Sequence, residues 1–414
     1  MLDIQFIRSN RELVAKKASE KNMAVDLEQV IGFDDKRKEI LQEVEVLRQE
    51  RNNLSSANKS GRPSEEDINK GKLLKDKIAN LEHQLSAVEQ EYVQLLKQIP
   101  NLHFDDVPIG GEDAGSEVSR FGETNTGGVD HLDFATKKDW VDFERGAKVA
   151  GAKFYYLKGD LALLENALLQ YALTKLMSKN FTLMSVPHLV NSKTASGTGF
   201  APRTSDQSDE YYIEGDDLSL IATAEISLTG YHTDEILDEA KLPLLYVGYS
   251  PCYRKEAGTY GKHTRGLFRV HQFNKLEMYA YTMPETSKQV HEQLLAIEEE
   301  IWQELKIPYR VINIASGDLG APAAKKFDIE YWSPVDAQYR ELTSCSNCTD
   351  FQARNLNIRV RRSDGKVDFV HTLNGTVVSM ARSLVAIIEH YQDKDGNLRI
   401  PEVLQPYMMG KSTI

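Results

Sequence analysis

Between Tyr253 and Tyr281 the chain reads YRKEAGTYGKHTRGLFRVHQFNKLEMYAY. Two β-forming runs flank a glycine-containing loop, with Arg254, Glu256, Arg265, Arg269 and Glu277 on or beside them. Residues two apart share a strand face, so Arg254 goes with Glu256, and Arg269 with His271, Phe273, Lys275 and Glu277. Such a face makes a poor hydrophobic core, because each unpaired buried ion costs several kcal/mol. Guanidinium groups grip phosphate with two prongs. A phenyl ring stacks on a base, and a carboxylate holds an ammonium group. Together they suit an aminoacyl phosphate carrying an adenine. An exposed hairpin with cross-strand ion pairs fits the same pattern, and spacing alone leaves both readings open.

These residues need a scaffold. Helical runs are expected near Leu161–Lys179, Pro284–Leu305 and Ser379–Tyr391. Strands are expected at Leu244–Tyr249, Leu267–Tyr281, Tyr309–Asn313, Lys326–Trp332 and Tyr339–Thr343. Many strands with interposed helices predict an α+β domain with a mainly antiparallel sheet. No βαβ series with a glycine-rich phosphate fingerprint appears. Gly410-Lys411-Ser412 imitates the end of a P-loop, but Gln405 stands where that motif needs glycine.

The N-terminal part is built on another period. Leu74, Ile78, Leu81, Leu85, Val88, Tyr92, Leu95 and Ile99 alternate in steps of four and three, an a/d heptad seam. Phe33, Ile40, Val44, Leu47 and Leu54 follow the same rule, with Arg37 and Arg51 in seam positions. Gly61 and Pro63 stop the first helix; Ser64 caps the second, with Glu65, Glu66 and Asp67 in its first turn. The expected structure is an antiparallel helical hairpin on the order of 45 Å long. A short helix over Leu2–Lys17 packs at its base, and Leu102–Gly128 reads as a linker. The domains are thus an N-terminal 1–101 and a C-terminal 102–414. Arg48, Arg51, Lys59 and Arg62 approach the turn on one side; Lys70, Lys72, Lys75 and Lys77 leave it on the other. They make either a solvated coiled-coil face or a phosphate-contacting stripe.

The totals narrow the class. The chain has 414 residues, 41% hydrophobic and 27% charged, as in ordinary globular proteins. No apolar run is long enough to cross a bilayer, and MLDIQFIRSNREL lacks a signal-peptide core. The expected compartment is the cytoplasm. A net charge of −12 argues weakly against non-specific nucleic-acid binding. Three cysteines, Cys252, Cys345 and Cys348, suggest reduced thiols. The Cys345–Cys348 pair has no second pair at zinc-finger spacing, so structural thiols are preferred over a metal or redox site.

The stretch YRKEAGTYGKHTRGLFRVHQFNKLEM resembles motif 2 of the class II aminoacyl-tRNA synthetases, in the form of the bacterial-type seryl-tRNA synthetase family. Four further segments agree in order. FTLMSVPHLVN, Phe181–Asn191, is similar to motif 1; Thr223-Ala224-Glu225 to the serine-binding loop; RELTSCSNCTDFQAR, Arg340–Arg354, to the end of the ATP site; and His371–Tyr391 with IPEVLQPYM to motif 3 and the tail. The resemblance covers nearly the whole chain. It implies an antiparallel catalytic sheet of six to eight strands flanked by helices, a coiled-coil arm, and a homodimer joined through motif 1. It also implies a reaction. Serine and ATP, with Mg²⁺, give seryl-adenylate, and the seryl group passes to the 3′ end of serine tRNA, and of selenocysteine tRNA where present. The arm, through its eight basic residues, would grip the long variable arm of that tRNA.

The resemblance also implies roles. Arg254, Arg269 and Arg382 would be catalytic: Arg254 on the α-phosphate, Arg269 on the γ-phosphate, Arg382 on one adenine face. Phe273 would take the other face and Glu256 the 6-amino group. Lys255, Val270, Leu342 and Thr343 would complete the ATP site, with Glu341 and Ser344 on the Mg²⁺. Thr223, Ala224, Glu225, Glu277, Asn374 and Thr376 would bind serine. Serine's carboxylate is itself the nucleophile, so alignment and charge stabilisation carry the first step. The sequence departs from the family at Thr376, Val377 and Ala381. Val377 replaces a glycine and cannot readily adopt positive φ. Two alternatives are an armless-type amino acid:carrier protein ligase activity and a non-enzymatic paralogue acting through the arm. The first predicts no arm and the second a damaged site.

Overall fold

The computed structural model describes residues 1–57, 64–200, 209–256 and 265–414. They divide into two compact units, Met1–Leu102 and His103–Ile414.

The first unit is helical. Helix α1 spans Ile4–Ser9, α2 Arg11–Glu20, α3 Leu27–Ala57 and α4 Glu65–Gln98. The expected single helix over Leu2–Lys17 is broken at Asn10, whose φ of −131° is not helical and whose side chain donates to Phe6 O. Asp3 caps α1, and Ser64 caps α4 by accepting from Asp67 N. Gly61 and Pro63 lie outside the described residues. The seam packs Ile40 and Val44 of α3 with Val88 of α4, and Leu74, Ile78 and Tyr92 of α4 are also buried. Past Tyr92 the heptad expectation fails at one position, where Leu95 is only half-buried and Leu96 is buried instead; Ile99 is buried as expected. A straight helix drifts from a seven-residue repeat, and here Leu96 turns toward Leu2, Ile7 and Val14. Asp34, fully buried, is held by Arg8 at 2.7 Å, Arg37 at 3.2 Å and Lys38 at 2.6 Å. Three cations keep that carboxylate from being stranded.

The second unit is built on eight strands. In chain order these are β1 Ser116–Phe121, β2 Thr182–Ser185, β3 Leu244–Tyr253 and β4 Gln272–Thr282, then β5 Tyr309–Asn313, β6 Lys325–Ser333, β7 Gln338–Asn347 and β8 His371–Ser379. Their spatial order is β1-β5-β6-β7-β8-β4-β3-β2. All neighbours are antiparallel except β2, which runs parallel to β3 at the edge. The supporting helices are α5 His131–Lys137, α6 Gly159–Ser178, α7 Ala224–Gly230, α8 Ser287–Glu304, α9 Phe351–Leu356 and α10 Met380–Tyr391. The main core joins Leu161, Leu164 and Leu168 of α6, Leu294 and Trp302 of α8, and Leu384 and Ile388 of α10 to the sheet. This is the α+β arrangement, with a mainly antiparallel sheet flanked by helices, that the sequence predicts.

Two expectations change. The stretch read as a linker contributes β1, paired antiparallel to β5 from Ser116↔Asn313 to Phe121↔Tyr309. The charged hairpin is shorter than its charges: β3 and β4 end at the pair Tyr253↔Gln272. Arg254, Lys255, Glu256, Arg269 and Val270 therefore lie past the strand ends. Gly266–Phe268 forms a 3₁₀ turn instead of a strand, entered through Gly266 at φ 66°.

Candidate active site and helical arm

The centre of the sheet carries a buried polar pocket. Strands β4 and β8 pair so that Glu277 faces Thr376. Thr376 Oγ1 donates to Glu277 Oε2 at 3.1 Å, and Lys275 Nζ pairs with the same carboxylate at 2.7 Å. All three are buried. Beside them is a second carboxylate. Thr223 caps α7, accepting from Glu225 N at 3.2 Å, and so puts Glu225 in the first helical turn. Asn374 Nδ2 and Gln352 Nε2 each donate to Glu225 Oε1 at 2.9 Å. Gln352 is itself satisfied, accepting from Tyr279 at 3.0 Å and Thr372 at 2.7 Å. Burial, then the nearby charge of Glu277, raises the Glu225 pKa to about 7, against the pull of Gln352, Lys275 and Arg254.

Next to this pocket lies a half-exposed cluster of ions. Arg254 leaves β3 with its guanidinium 5.2 Å from the Phe273 ring centroid. Its Nε donates to Ala222 O at 3.4 Å. Arg269 pairs with Glu256 at 2.9 Å. Glu256 adopts a left-handed backbone, φ 48°, a conformation rare outside glycine and typical of functional sites. Arg382 of α10 pairs with Glu341 at 3.0 Å. Lys255 instead lies over the rings of Tyr211 and Tyr212, 5.9 and 5.8 Å away.

Glu341 and Ser344 are three residues apart, which on a regular strand puts them on opposite faces. A register shift corrects this: Ile329 faces Thr343 and Glu330 faces Glu341, leaving Leu342 as the extra residue of a bulge. Glu341 and Ser344 thus share a face. Asp328, opposite Ser344, adds a buried Oδ1 without a hydrogen-bond partner. Partial loss of water would raise the Glu341 pKa; Arg382, Lys326 and Arg254 outweigh it and hold it near 2. Three oxygen donors on one face suit a hard divalent cation.

The structure brings together most of the residues singled out from sequence. Leu342, Thr343 and Val270 are exceptions: their side chains are buried, Leu342 and Val270 within the core. Ala224 is likewise buried, in a smaller cluster with Tyr279 and Tyr281. Val377 is accommodated without a left-handed backbone. It is the extra residue of a second bulge, between Thr376↔Glu277 and Val378↔Leu276, fully buried and absent from the positions of positive φ. Sequence reasoning gave no role to Gln352, Lys275 or Asp328. Lys275 was findable, since it shares a face with Glu277. Gln352 was not, because its role depends on where α9 packs.

A family model described as the tRNA synthetase class II core domain (G, H, P, S and T) matches residues 209–391. Another, the seryl-tRNA synthetase N-terminal domain, matches residues 1–103. A serine–tRNA ligase of Dictyoglomus turgidum is 46% identical over 99% of this chain and 98% of that protein. The chain belongs to the serine–tRNA ligases. It is an enzyme, a class II aminoacyl-tRNA synthetase. Two solved members of the family superpose over 100% of the chain. Seryl-tRNA synthetase from Pyrococcus horikoshii, complexed with ATP, has TM-score 0.88 at 39% identity over 99% of that chain. The cytoplasmic serine–tRNA ligase of Naegleria fowleri, in complex with AMP, has TM-score 0.84 at 33% identity over 98%.

The arm of this ligase shows how its cations are used. Arg48 pairs across the hairpin with Glu82 at 2.7 Å, and Lys70 with Glu50 at 3.0 Å. Arg51, Lys72, Lys75 and Lys77 are exposed and form no ion pair among the described residues. Lys59 and Arg62 lie outside the described residues. The three cysteines are buried free thiols. Among the described residues, no helix is long and apolar enough to cross a membrane.

Proposed function

We propose that this serine–tRNA ligase seats serine in the buried pocket and ATP across the ion cluster beside it. Glu225 and Glu277 take the serine ammonium and hydroxyl, with Thr223, Asn374 and Thr376 completing the pocket. Arg254 holds the α-phosphate. Arg269 takes the γ-phosphate, and Glu256 the adenine amino group. Phe273 and Arg382 stack on the base. Glu341 and Ser344, with Asp328 behind, would hold a Mg²⁺ that neutralises phosphate charge when bound. The observation that carries the reading is two buried carboxylates and a hydroxyl converging beside three arginines.

The chemistry follows from placement. Serine's carboxylate oxygen attacks the α-phosphorus, an O–P bond forms, and the bond to pyrophosphate breaks. Arg254 stabilises charge on the five-coordinate phosphorus. No general base is needed, since the nucleophile is already ionised. The 3′-terminal hydroxyl of the tRNA then attacks the acyl carbonyl, releasing AMP. Alanine is rejected because the pocket's hydroxyl partners would be left unpaired.

Further parts belong to this reading. The unit 1–101 binds tRNA, its free cations Arg51, Lys72, Lys75 and Lys77 contacting backbone phosphates of the long variable arm. Unit 102–414 is catalytic, and selenocysteine tRNA is a second substrate where present. Two copies join through the motif 1 edge, where β2 leaves Leu183 about half exposed and Leu189 stands exposed beyond it. Free buried thiols fit a reducing cytoplasm.

The test is Arg254→Ala in ATP–pyrophosphate exchange with serine. The expected result is a folded protein without measurable exchange. Near-normal exchange would remove Arg254 from the mechanism.

A further inference from the structure

A second buried cluster lies away from both pockets. His131 opens α5, and its ring is 1% exposed. Its Nε2 accepts a hydrogen bond from the backbone N–H of Leu267 at 3.3 Å. An imidazole that accepts at Nε2 carries its hydrogen on Nδ1. That Nδ1 faces two carboxylates: Glu389 Oε1 of α10 at 3.5 Å and Asp130 Oδ2 at 3.6 Å. Neither contact closes into a hydrogen bond, and Nδ1 and Glu389 Oε1 are both buried without a partner. The paired negative field nonetheless favours hydrogen on Nδ1, and so an acceptor at Nε2. Glu389 is fixed from behind, its Oε2 accepting from Ser333 at 2.7 Å and Tyr331 at 3.2 Å.

The three ligand-type atoms lie within 4.8 Å of one another, as a metal site requires. The Leu267 bond argues against one, since an Nδ1 that bears hydrogen has no lone pair to give. The cluster's function lies on the other side of the ring. Gly266 passes so close that an added Cβ would meet His131 Nε2 at 2.4 Å, and its φ of 66° already favours glycine. Leu267 is followed by Phe268, whose ring lies 4.9 Å from the Arg382 guanidinium and 5.3 Å from that of Arg340. Arg269 comes next.

We propose that His131 is a positioning residue for nucleotide binding. Its Nε2 pins the Leu267 amide, and through it the Phe268 ring beneath Arg382 and the point from which Arg269 departs. Asp130 and Glu389 set the tautomer that makes this possible. The inference rests on the reading of Arg269 and Arg382 as ATP contacts.

Two variants isolate the acceptor. His131→Asn keeps a donor toward the carboxylates but has nothing at the Nε2 position. His131→Gln reaches that position with an amide oxygen. The measurement is ATP–pyrophosphate exchange with serine, varying each substrate in turn. For His131→Asn the KM for ATP rises about tenfold, the size expected for one lost buried hydrogen bond, while the KM for serine stays within about twofold. His131→Gln recovers most of the loss. An unchanged ATP KM in His131→Asn, an equal rise in both KM values, or no recovery in His131→Gln would overturn the proposal. If His131→Asn does not fold, Glu389→Gln decides: it keeps volume but removes charge facing Nδ1, and an unchanged ATP KM there would also overturn it. A wild-type protein that shows no exchange would instead overturn the assignment of the active site.

Discussion

The buried polar pocket proposed for serine and the ion cluster proposed for ATP share one sheet but hold their polar groups differently. In the pocket, Glu225, Asn374, Gln352, Glu277, Thr376 and Lys275 are buried and bonded to one another. In the cleft, Arg269–Glu256 and Arg382–Glu341 are ion pairs with partly exposed members, the Glu341 side chain 43% exposed. A buried network is costly to break, so a ligand lacking the right groups is penalised. Each of these pairs has one partly exposed member, so water screens it more than it screens the pocket. Their partners can be exchanged for phosphate and base at small cost. The pocket is built to discriminate and the cleft to accommodate.

The largest effect that would break this contrast concerns the arm. Deleting residues 28–98 is expected to abolish tRNA charging and leave adenylate formation intact; charging that survives would mean the arm is not the reader. A milder form replaces Arg51, Lys72, Lys75 and Lys77 by Ala. Charging is expected to weaken strongly and the log–log salt slope to fall by roughly 3, because each cation displaces counterions. Replacing the paired Arg48 and Lys70 should move the slope less. Equal slopes in the two sets would show that pairing does not decide which cations contact phosphate.

The contrast is sharpened by pH. Glu225 must be ionised to hold an ammonium group, and its raised pKa means it gains charge near pH 7. The kcat/KM for serine in exchange is therefore expected to fall as pH drops below about 7, following the free enzyme. Glu225→Gln should give a low, flat profile. A wild-type profile flat from pH 6 to 8 would contradict the assignment.

The smallest effect is on stability. Glu298 of α8 is fully buried behind Gly375, where an added Cβ would meet its carboxyl at 2.8 Å. Burial, with the charges of Glu277 and Asp328, raises its pKa well above normal. The folded protein then retains a proton that the unfolded chain gives up above its ordinary range, about pH 4.3. More protons are bound in the folded state, so this group's contribution to stability falls as pH rises. Glu298→Gln cannot ionise, so its melting temperature should gain on wild type by a few degrees between pH 5.5 and 8. A constant difference across that range would show that Glu298 is charged in the fold.

Much of the architecture was legible because it follows from short periods. The heptad seam read off as α3 and α4, and the stretch from Gln272 to Tyr281 as a strand beneath the site. What escaped depended on pairing between distant segments. The bulges at Leu342 and Val377 exist only relative to β6 and β4, yet the first puts Glu341 and Ser344 on one face. The sheet edge at Ser116–Phe121 carries no buried side chain, so no apolar alternation announced it. Gln352 carries no mark in the sequence, and its role appears only where α9 brings it against Glu225.

The most direct test of the division between pocket and cleft is ATP–pyrophosphate exchange with each of the twenty amino acids in turn. Serine alone is expected to support exchange, because only serine supplies both an ammonium group and a hydroxyl small enough for the pocket. Comparable exchange with alanine or threonine, or none with serine, would contradict the account.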